Sequence, residues 1–311
     1  MVYYSGTKDF SLKNTVITLG KFDGIHRGHQ KLLSELKSYK EKGYTTVVLS
    51  FDFYPLDVLK GKMHPLIYTK QERLNIIEES GVDVFIEYPF TEETAHMSPE
   101  EFVKEVLIDK LDVKIIAVGE DFRFGYQRAG DVKFLKDHAG ELGYAVDDLQ
   151  KVCACGREIS STVIRNFIVS GELETARTLL GRPFSVSGTV VHGLNNGHAL
   201  GTPTVNLTPA EYKILPPDGV YISILKVKGE YSRYPAVTNI GCNPTVAEDG
   251  RRVIETHILD YSGDLYGREI EVDLYRKLRG EIKFEGKDAL REQIFKDIEH
   301  AKDYIAREEL V

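Results

Sequence analysis

The sequence predicts an α/β domain built on a parallel sheet, followed by a small antiparallel β-barrel and a long closing helix. Three observations lead there. Strand-like and helical segments alternate as far as Arg182-Pro183, and parallel strands need helical crossovers of that kind. Beyond Pro183 one strand-like run follows another, punctuated by Gly, Pro and Asn, as in a small barrel. At the end, Leu290, Ile294, Ile298 and Ile305 fall roughly on one helical stripe. A chain of 311 residues holds two cores, so the expected domains are residues 1–183 and 184–311.

In the first domain the strand-like runs are residues 14–19, 45–51, 83–88, 114–118 and 144–152. After the first, Leu32, Leu33, Leu36 and Tyr39 recur at helical spacing. A second helix starts at Thr69, with Glu72 three residues later as a capping box, and stops near Gly81. A third starts at Ser98, with Pro99 in the first helical position and Glu101 in the third. The second domain offers strands at residues 184–191, 220–227, 231–238, 252–259 and 271–274. No internal repeat or low-complexity linker intervenes.

Composition narrows the classes. A formal charge of −8 argues against a broad nucleic-acid surface, which needs clustered Lys and Arg. Small anionic ligands stay open, because a few local groups bind them. No apolar run is long enough to cross a bilayer, and residues 1–6 lack the basic and apolar regions of a secretory signal. The three cysteines, Cys153, Cys155 and Cys242, form neither a paired set nor a tetrahedral metal motif. Reduced thiols in the cytoplasm are the expectation; self-association is left open.

The chemistry begins at residues 20–29, where Gly20, Phe22, Asp23, Gly24, His26, Gly28 and His29 join the first strand to the first helix. A helix N-terminus offers backbone N–H groups and a favourable dipole to an anion, and Gly28 admits a phosphate close to the backbone. Two histidines on a first turn are also compatible with ordinary surface capping. Asp121, Phe122 and Phe124 follow a later strand, where a ring can stack and Asp121 can accept hydrogen bonds; core packing explains the phenylalanines equally. Ser161, Thr162 and Arg165 open a helix, with Ser161 and Arg165 on one face; N-capping explains the hydroxyls equally.

In the second domain Gly188, His192, Gly193, Gly197 and Gly201 punctuate a loop. It is not a P-loop, since Gly-Lys-Ser/Thr at the required spacing is absent, yet its backbone can cradle phosphate. Thr204 and Asn206 alternate onto one side of an extended segment and offer oxygen ligands that suit Mg²⁺. Glu255, in a strand, is placed to take a proton from an alcohol, although an exposed strand glutamate is commoner.

In order along nearly the whole length, these motifs resemble the bacterial bifunctional riboflavin kinase/FMN adenylyltransferase family. The run from Phe22 to His29 resembles the adenylyltransferase signature. Gly119 to Gly125, and Ile159 to Thr162 with Arg165, resemble its second and third motifs. In the kinase half the likeness runs through Leu200 to Asn206, Pro217 to Tyr221, Asn239 to Thr245, Glu255 to His257, and Leu278-Arg279 with Lys283-Phe284. Lys21, His198 and Thr202 depart from the usual Asn, basic and aromatic residues at their positions.

The resemblance implies a Rossmann-like nucleotidyltransferase domain and a riboflavin kinase barrel, with riboflavin, FMN and ATP as substrates and Mg²⁺ as the metal. It implies His26, His29 and Glu255 as catalytic residues and Thr204 and Asn206 as metal ligands. ATP would meet Gly20, Phe22, Asp23, Gly24, Gly28, Ser161, Thr162 and Arg165, and in the kinase half Gly188, His192, Gly193, Gly197 and Gly201. Flavin would meet Asp121, Phe122, Phe124, Asn239 and Arg279. Two other readings remain at this point: a β-rich domain that only binds flavin, and an adenylyltransferase for another phosphorylated acceptor such as phosphopantetheine or nicotinamide mononucleotide.

Overall fold

A computed structural model describes residues 1–52, 65–154, 156–192, 202–242 and 252–311. Gly193, Gly197, His198, Gly201 and Cys155 lie outside them. Contacts divide the chain into two compact units. The first comprises residues 1–66 and 70–161, the second residues 67–69 and 162–311.

The first unit is built on a six-stranded parallel sheet. Its strands are β1 (Val2–Ser5), β2 (Thr15–Leu19), β3 (Thr45–Phe51), β4 (Val84–Tyr88), β5 (Val113–Gly119) and β6 (Ala145–Leu149), in the order β1-β4-β3-β2-β5-β6. Every residue of β2 is buried, because its apolar run lies between two other strands with helices in the crossovers. The crossovers are α1 (Arg27–Lys40), α2 (Lys70–Glu79), a helical stretch opened by Ser98, and α3 (Val132–Leu142). The Ser98–Glu101 capping box is formed as the sequence predicts, and the chain then continues as a π-wound segment, Phe102–Lys110. Ile17, Leu49, Ile86, Val106, Ile116 and Leu135 belong to one core cluster.

Strand β1 is an addition to the sequence reading. It pairs in parallel with β4, Tyr3 opposite Phe85 and Ser5 opposite Glu87. Only four residues long and partly exposed, it carries no apolar run that would announce it.

The second unit starts with α4 (Ser161–Ser170, whose first residue groups with the first unit) and α5 (Leu173–Leu180). Helix α5 packs on the first and last strands of the sheet that follows, so residues 162–183 group by contacts with the barrel, although the pattern of the sequence changes at Pro183. The sheet is antiparallel and six-stranded: β7 (Phe184–Thr189), β8 (Thr204–Leu207), β9 (Gly219–Val227), β10 (Arg233–Cys242), β11 (Arg252–Ile258) and β12 (Glu269–Arg279), in the order β7-β12-β9-β10-β11-β8. Just beyond β7, Val191 bridges to Asn206 on β8, bringing the two edges together. Ser223, Thr238 and Thr256 join three strands through buried hydroxyls at 2.7 and 2.9 Å. The closing helix, α6 (Lys287–Arg307), lays Ala301, Tyr304 and Ile305 on Ile222, Ile224 and Tyr275.

Candidate active sites

Between β2 and α1 the chain turns in a small space. Phe22 and Ile25 take φ values of 51° and 37°, conformations costly for residues with a Cβ, and both side chains are fully buried. The Lys21 carbonyl accepts hydrogen bonds from Arg73 Nη1 at 3.3 Å and Ser50 Oγ at 3.2 Å. Arg73 is itself ion-paired to Glu87, a wholly buried carboxylate that also meets Lys70 at 2.9 Å and the Tyr3 hydroxyl. Sequence reasoning missed this anchor. Its one signal was a glutamate interrupting the apolar run Val84–Tyr88.

The turn delivers both histidines to the start of α1. His26 is the N-cap, yet its side chain makes no capping hydrogen bond. The first turn of the helix contains no acidic residue, so nothing there cancels the partial positive charge of the helix end. The His26 and His29 rings stack at 3.9 Å with planes 19° apart, and His29 packs on Phe22 at 4.7 Å. Both Nδ1 atoms are buried with no hydrogen-bond partner. Burial pushes His26 down to about 4, and it holds His29 well below its ordinary value, with His26 adding to the effect. Two neutral imidazoles with unused ring nitrogens therefore stand at a helix N-terminus.

Gly28 acquires a second reason to be glycine. A Cβ there would stand 3.2 Å from Cε1 and Nδ1 of His26. That is closer than ordinary carbon contacts, so the bare backbone gives the imidazole its room.

Asp121 is exposed, 3.6 Å from Lys151 Nζ, and its charge reaches His26. Phe122 stacks on Phe124 at 5.5 Å. Phe124 is buried in the core against Phe102 and Phe134, so packing accounts for its ring, while Phe122 is half-buried. Ser161 groups with the first unit; Thr162 and Arg165 group with the second.

The second unit holds a cavity of about 730 Å³ lined by Thr204, Asn239, Glu255, His257 and Arg279 among others. Strand register explains the gathering. One row crosses five strands: Asn206 opposite Glu255, Glu255 opposite Asn239, Asn239 opposite Val220, and Val220 opposite Arg279. Four residues singled out in the sequence thus share a row, although 73 positions separate the first number from the last (279 minus 206). Asn206 itself is buried and falls outside the cavity lining. Thr204 pairs with His257, whose Nδ1 meets the Pro203 carbonyl at 2.8 Å. Of the glycine-punctuated loop, Gly188 lies in β7 and the exposed His192 stacks on Tyr266 at 3.8 Å.

The chain thus carries two candidate sites, paired histidines at the first helix of a parallel α/β unit and a carboxylate in the cavity of an antiparallel barrel, and that description is general. Comparison with known proteins makes it specific. The profile of the family described as FAD synthetase matches residues 8–163, and that of riboflavin kinase matches residues 180–305. The bifunctional riboflavin kinase/FMN adenylyltransferase of Escherichia coli strain K12 is 38% identical, covering 93% of this chain and 92% of its own. That of Bacillus subtilis strain 168 is 36% identical, covering 94% and 93%. A crystal structure described as a macrolide-efflux protein from Streptococcus pneumoniae superposes with a TM-score of 0.85 at 30% identity, covering 97% of this chain and 98% of that one. Among the described residues no helix is long and apolar enough to cross a membrane. The chain belongs to the bifunctional riboflavin kinase/FMN adenylyltransferase family.

Proposed function

We propose that the two units divide FAD synthesis between them, with Glu255 at the centre of the first reaction and His26 and His29 at the centre of the second. As a member of its family the chain is a riboflavin kinase and an FMN adenylyltransferase, making FAD from riboflavin. The residue roles are our reading. The observation that carries them is the pairing of a neutral, stacked His26–His29 couple at a helix N-terminus with a separate cavity containing Glu255.

In the barrel, Glu255 takes the proton of riboflavin's terminal hydroxyl as that oxygen bonds to the γ-phosphorus of ATP and ADP leaves. Thr204 and Asn206 bring neutral oxygens beside the Glu255 row, a hard donor set that fits Mg²⁺ shared with nucleotide phosphates. When bound, that ion supplies charge neutralisation on the transferring group. Asn239 and Arg279 hold the flavin. Gly188 and His192, with Gly193, Gly197 and Gly201, are our candidates for the phosphate side.

In the α/β unit, an FMN phosphate oxygen bonds to the α-phosphorus of ATP and pyrophosphate leaves. The nucleophile is already an anion, so no protein base is needed. Catalysis then rests on orientation and on donors aimed at the growing charge. Neutral imidazoles each offer one ring N–H for that purpose. Backbone around Gly20, Phe22, Asp23, Gly24 and Gly28 lies against the nucleotide, Ser161 contacts its phosphates, and Asp121 and Phe122 meet the flavin, with Phe124 backing Phe122. The cytoplasm is the compartment we propose, in keeping with three cysteines whose spacing forms no paired set.

His29→Ala tests the split. The folded variant should make FMN from riboflavin at the parent rate and lose FAD formation by about 10²–10³-fold. Loss of both activities together would contradict the reading.

A further inference from the structure

We propose that Asp297, on the closing helix, is a positioning residue that sets Arg279 to receive the carbonyl edge of riboflavin's ring. The proposal rests on the reading of the barrel cavity as the riboflavin site.

Asp297 is 3% exposed on the face of α6 that also buries Ile298 and Ala301. A carboxylate in such a place is costly unless it is paired and hydrogen-bonded. Its partner is Arg279. The Nε of Arg279 lies 3.2 and 3.0 Å from the two carboxylate oxygens, and Nη2 lies 2.8 Å from Oδ2. Gln293 Nε2 adds a hydrogen bond to Oδ1 at 2.9 Å. Arg279 Nη1 donates to the Gly280 carbonyl at 3.0 Å.

A guanidinium has five N–H donors. Asp297 takes the side of the fork, through Nε and Nη2, and Gly280 takes one hydrogen of Nη1. One hydrogen remains on each terminal nitrogen. These two are left for acceptor oxygens of a ligand.

The root of the side chain is held in the sheet, where Arg279 pairs with Val220. Gly219, at φ 147°, lies so close to the Arg279 carbonyl that any Cβ there would collide with it. Root and head are therefore both held before substrate arrives, and preorganisation of this kind lowers the ordering cost of binding.

Charge and shape select the acceptor. Asp297 cancels the charge of Arg279, leaving a neutral donor pair better matched to ring carbonyls than to a phosphate. The cavity wall beside it includes Val220, Val237, Ile294 and Ile298, an apolar surface for a flat ring. Phe284 lies 5.8 Å from the guanidinium. Three strand spacings separate β12 from β11 along the shared row, about 14 Å at ordinary sheet spacing. A tricyclic ring bearing a five-carbon chain spans that distance, with its carbonyl edge at Arg279 and its terminal hydroxyl at Glu255.

The test compares Asp297→Asn, Asp297→Ala, Arg279→Ala and the double alanine variant in the full-length chain. Riboflavin kinase KM and kcat are measured, riboflavin binding is followed by fluorescence quenching without ATP, and adenylylation of added FMN serves as control. Asp297→Ala should raise the riboflavin KM and dissociation constant about tenfold or more. The kcat, the KM for ATP and the adenylylation of FMN should hold. Asp297→Asn, which keeps an acceptor oxygen and the shape of the side chain, should give a smaller rise, and it carries the test if the alanine variant does not fold. The double variant should be no worse than Arg279→Ala alone. An unchanged riboflavin KM in Asp297→Ala, or effects that multiply in the double variant, would overturn the proposal. If Arg279→Ala also leaves riboflavin binding unchanged, the reading of the cavity falls with it.

Discussion

Gly28→Ala separates the fold from the chemistry, because the two effects of the added methyl oppose each other. In the first turn of a helix, replacing Gly by Ala gains up to about 1 kcal/mol of stability. The same methyl would stand 3.2 Å from two atoms of the His26 ring, where carbon contacts settle at about 3.5–4.0 Å. Relief requires the ring to shift by roughly half an ångström, and that ring is already stacked on His29 at 3.9 Å. Since a misplacement of about 1 Å can cost 10²-fold in rate, half of that should cost about tenfold. The expected outcome is a variant at least as heat-stable as the parent, unchanged as a riboflavin kinase, and about tenfold slower in making FAD from FMN and ATP. Thermal denaturation and chromatographic initial rates measure each part. Full adenylylation by a stable Gly28→Ala chain would refute the account of His26 as a closely seated phosphate donor.

Two further outcomes follow from buried charge. Burial holds His26 at about 4 in the folded chain, against about 6.5 unfolded. Between those values the unfolded chain binds more protons, so stability is complete above about pH 6.5 and falls as pH drops toward 4, by about 3 kcal/mol from this one residue. His29, also depressed, adds to the loss. Denaturant unfolding at pH 7.5 and 5 should show the drop, and a His26→Gln chain should show less of it; equal drops would contradict the burial argument. Glu87→Gln leaves the buried Arg73 without its main counter-charge, which should cost about 3–5 kcal/mol and loosen the Lys21 turn. A stability loss under about 1 kcal/mol would show that the pair is solvated instead.

What the sequence made legible follows from range. Strands such as Thr45–Phe51 announce themselves because β-branched apolar residues concentrate where both faces are covered. The Ser98 cap is legible because its whole hydrogen-bond pattern spans three residues. The site motifs were found the same way, as short runs around His26, Asp121 and Glu255. The supports escaped because they join distant residues across elements. Arg73 and Glu87 meet between a helix and a strand, and Arg279 meets Asp297 between a strand and a helix. No local spacing marks such a partner. The spacing of Leu290, Ile294, Ile298 and Ile305 marks the buried face of α6, but nothing in that spacing marks Asp297 on the same face. Phe122 and Phe124 show the converse: adjacent positions of one pattern, one taken into the core and one left half-exposed.

The central claim is that two chemistries run in two places on one chain, and Glu255→Gln examines it most directly. Purified parent chain given riboflavin, ATP and Mg²⁺ should accumulate FMN first and FAD after it. The variant given riboflavin should form neither, yet given FMN it should produce FAD at the parent rate. A folded Glu255→Gln chain that still phosphorylates riboflavin at full speed, or that can no longer adenylylate FMN, would contradict it.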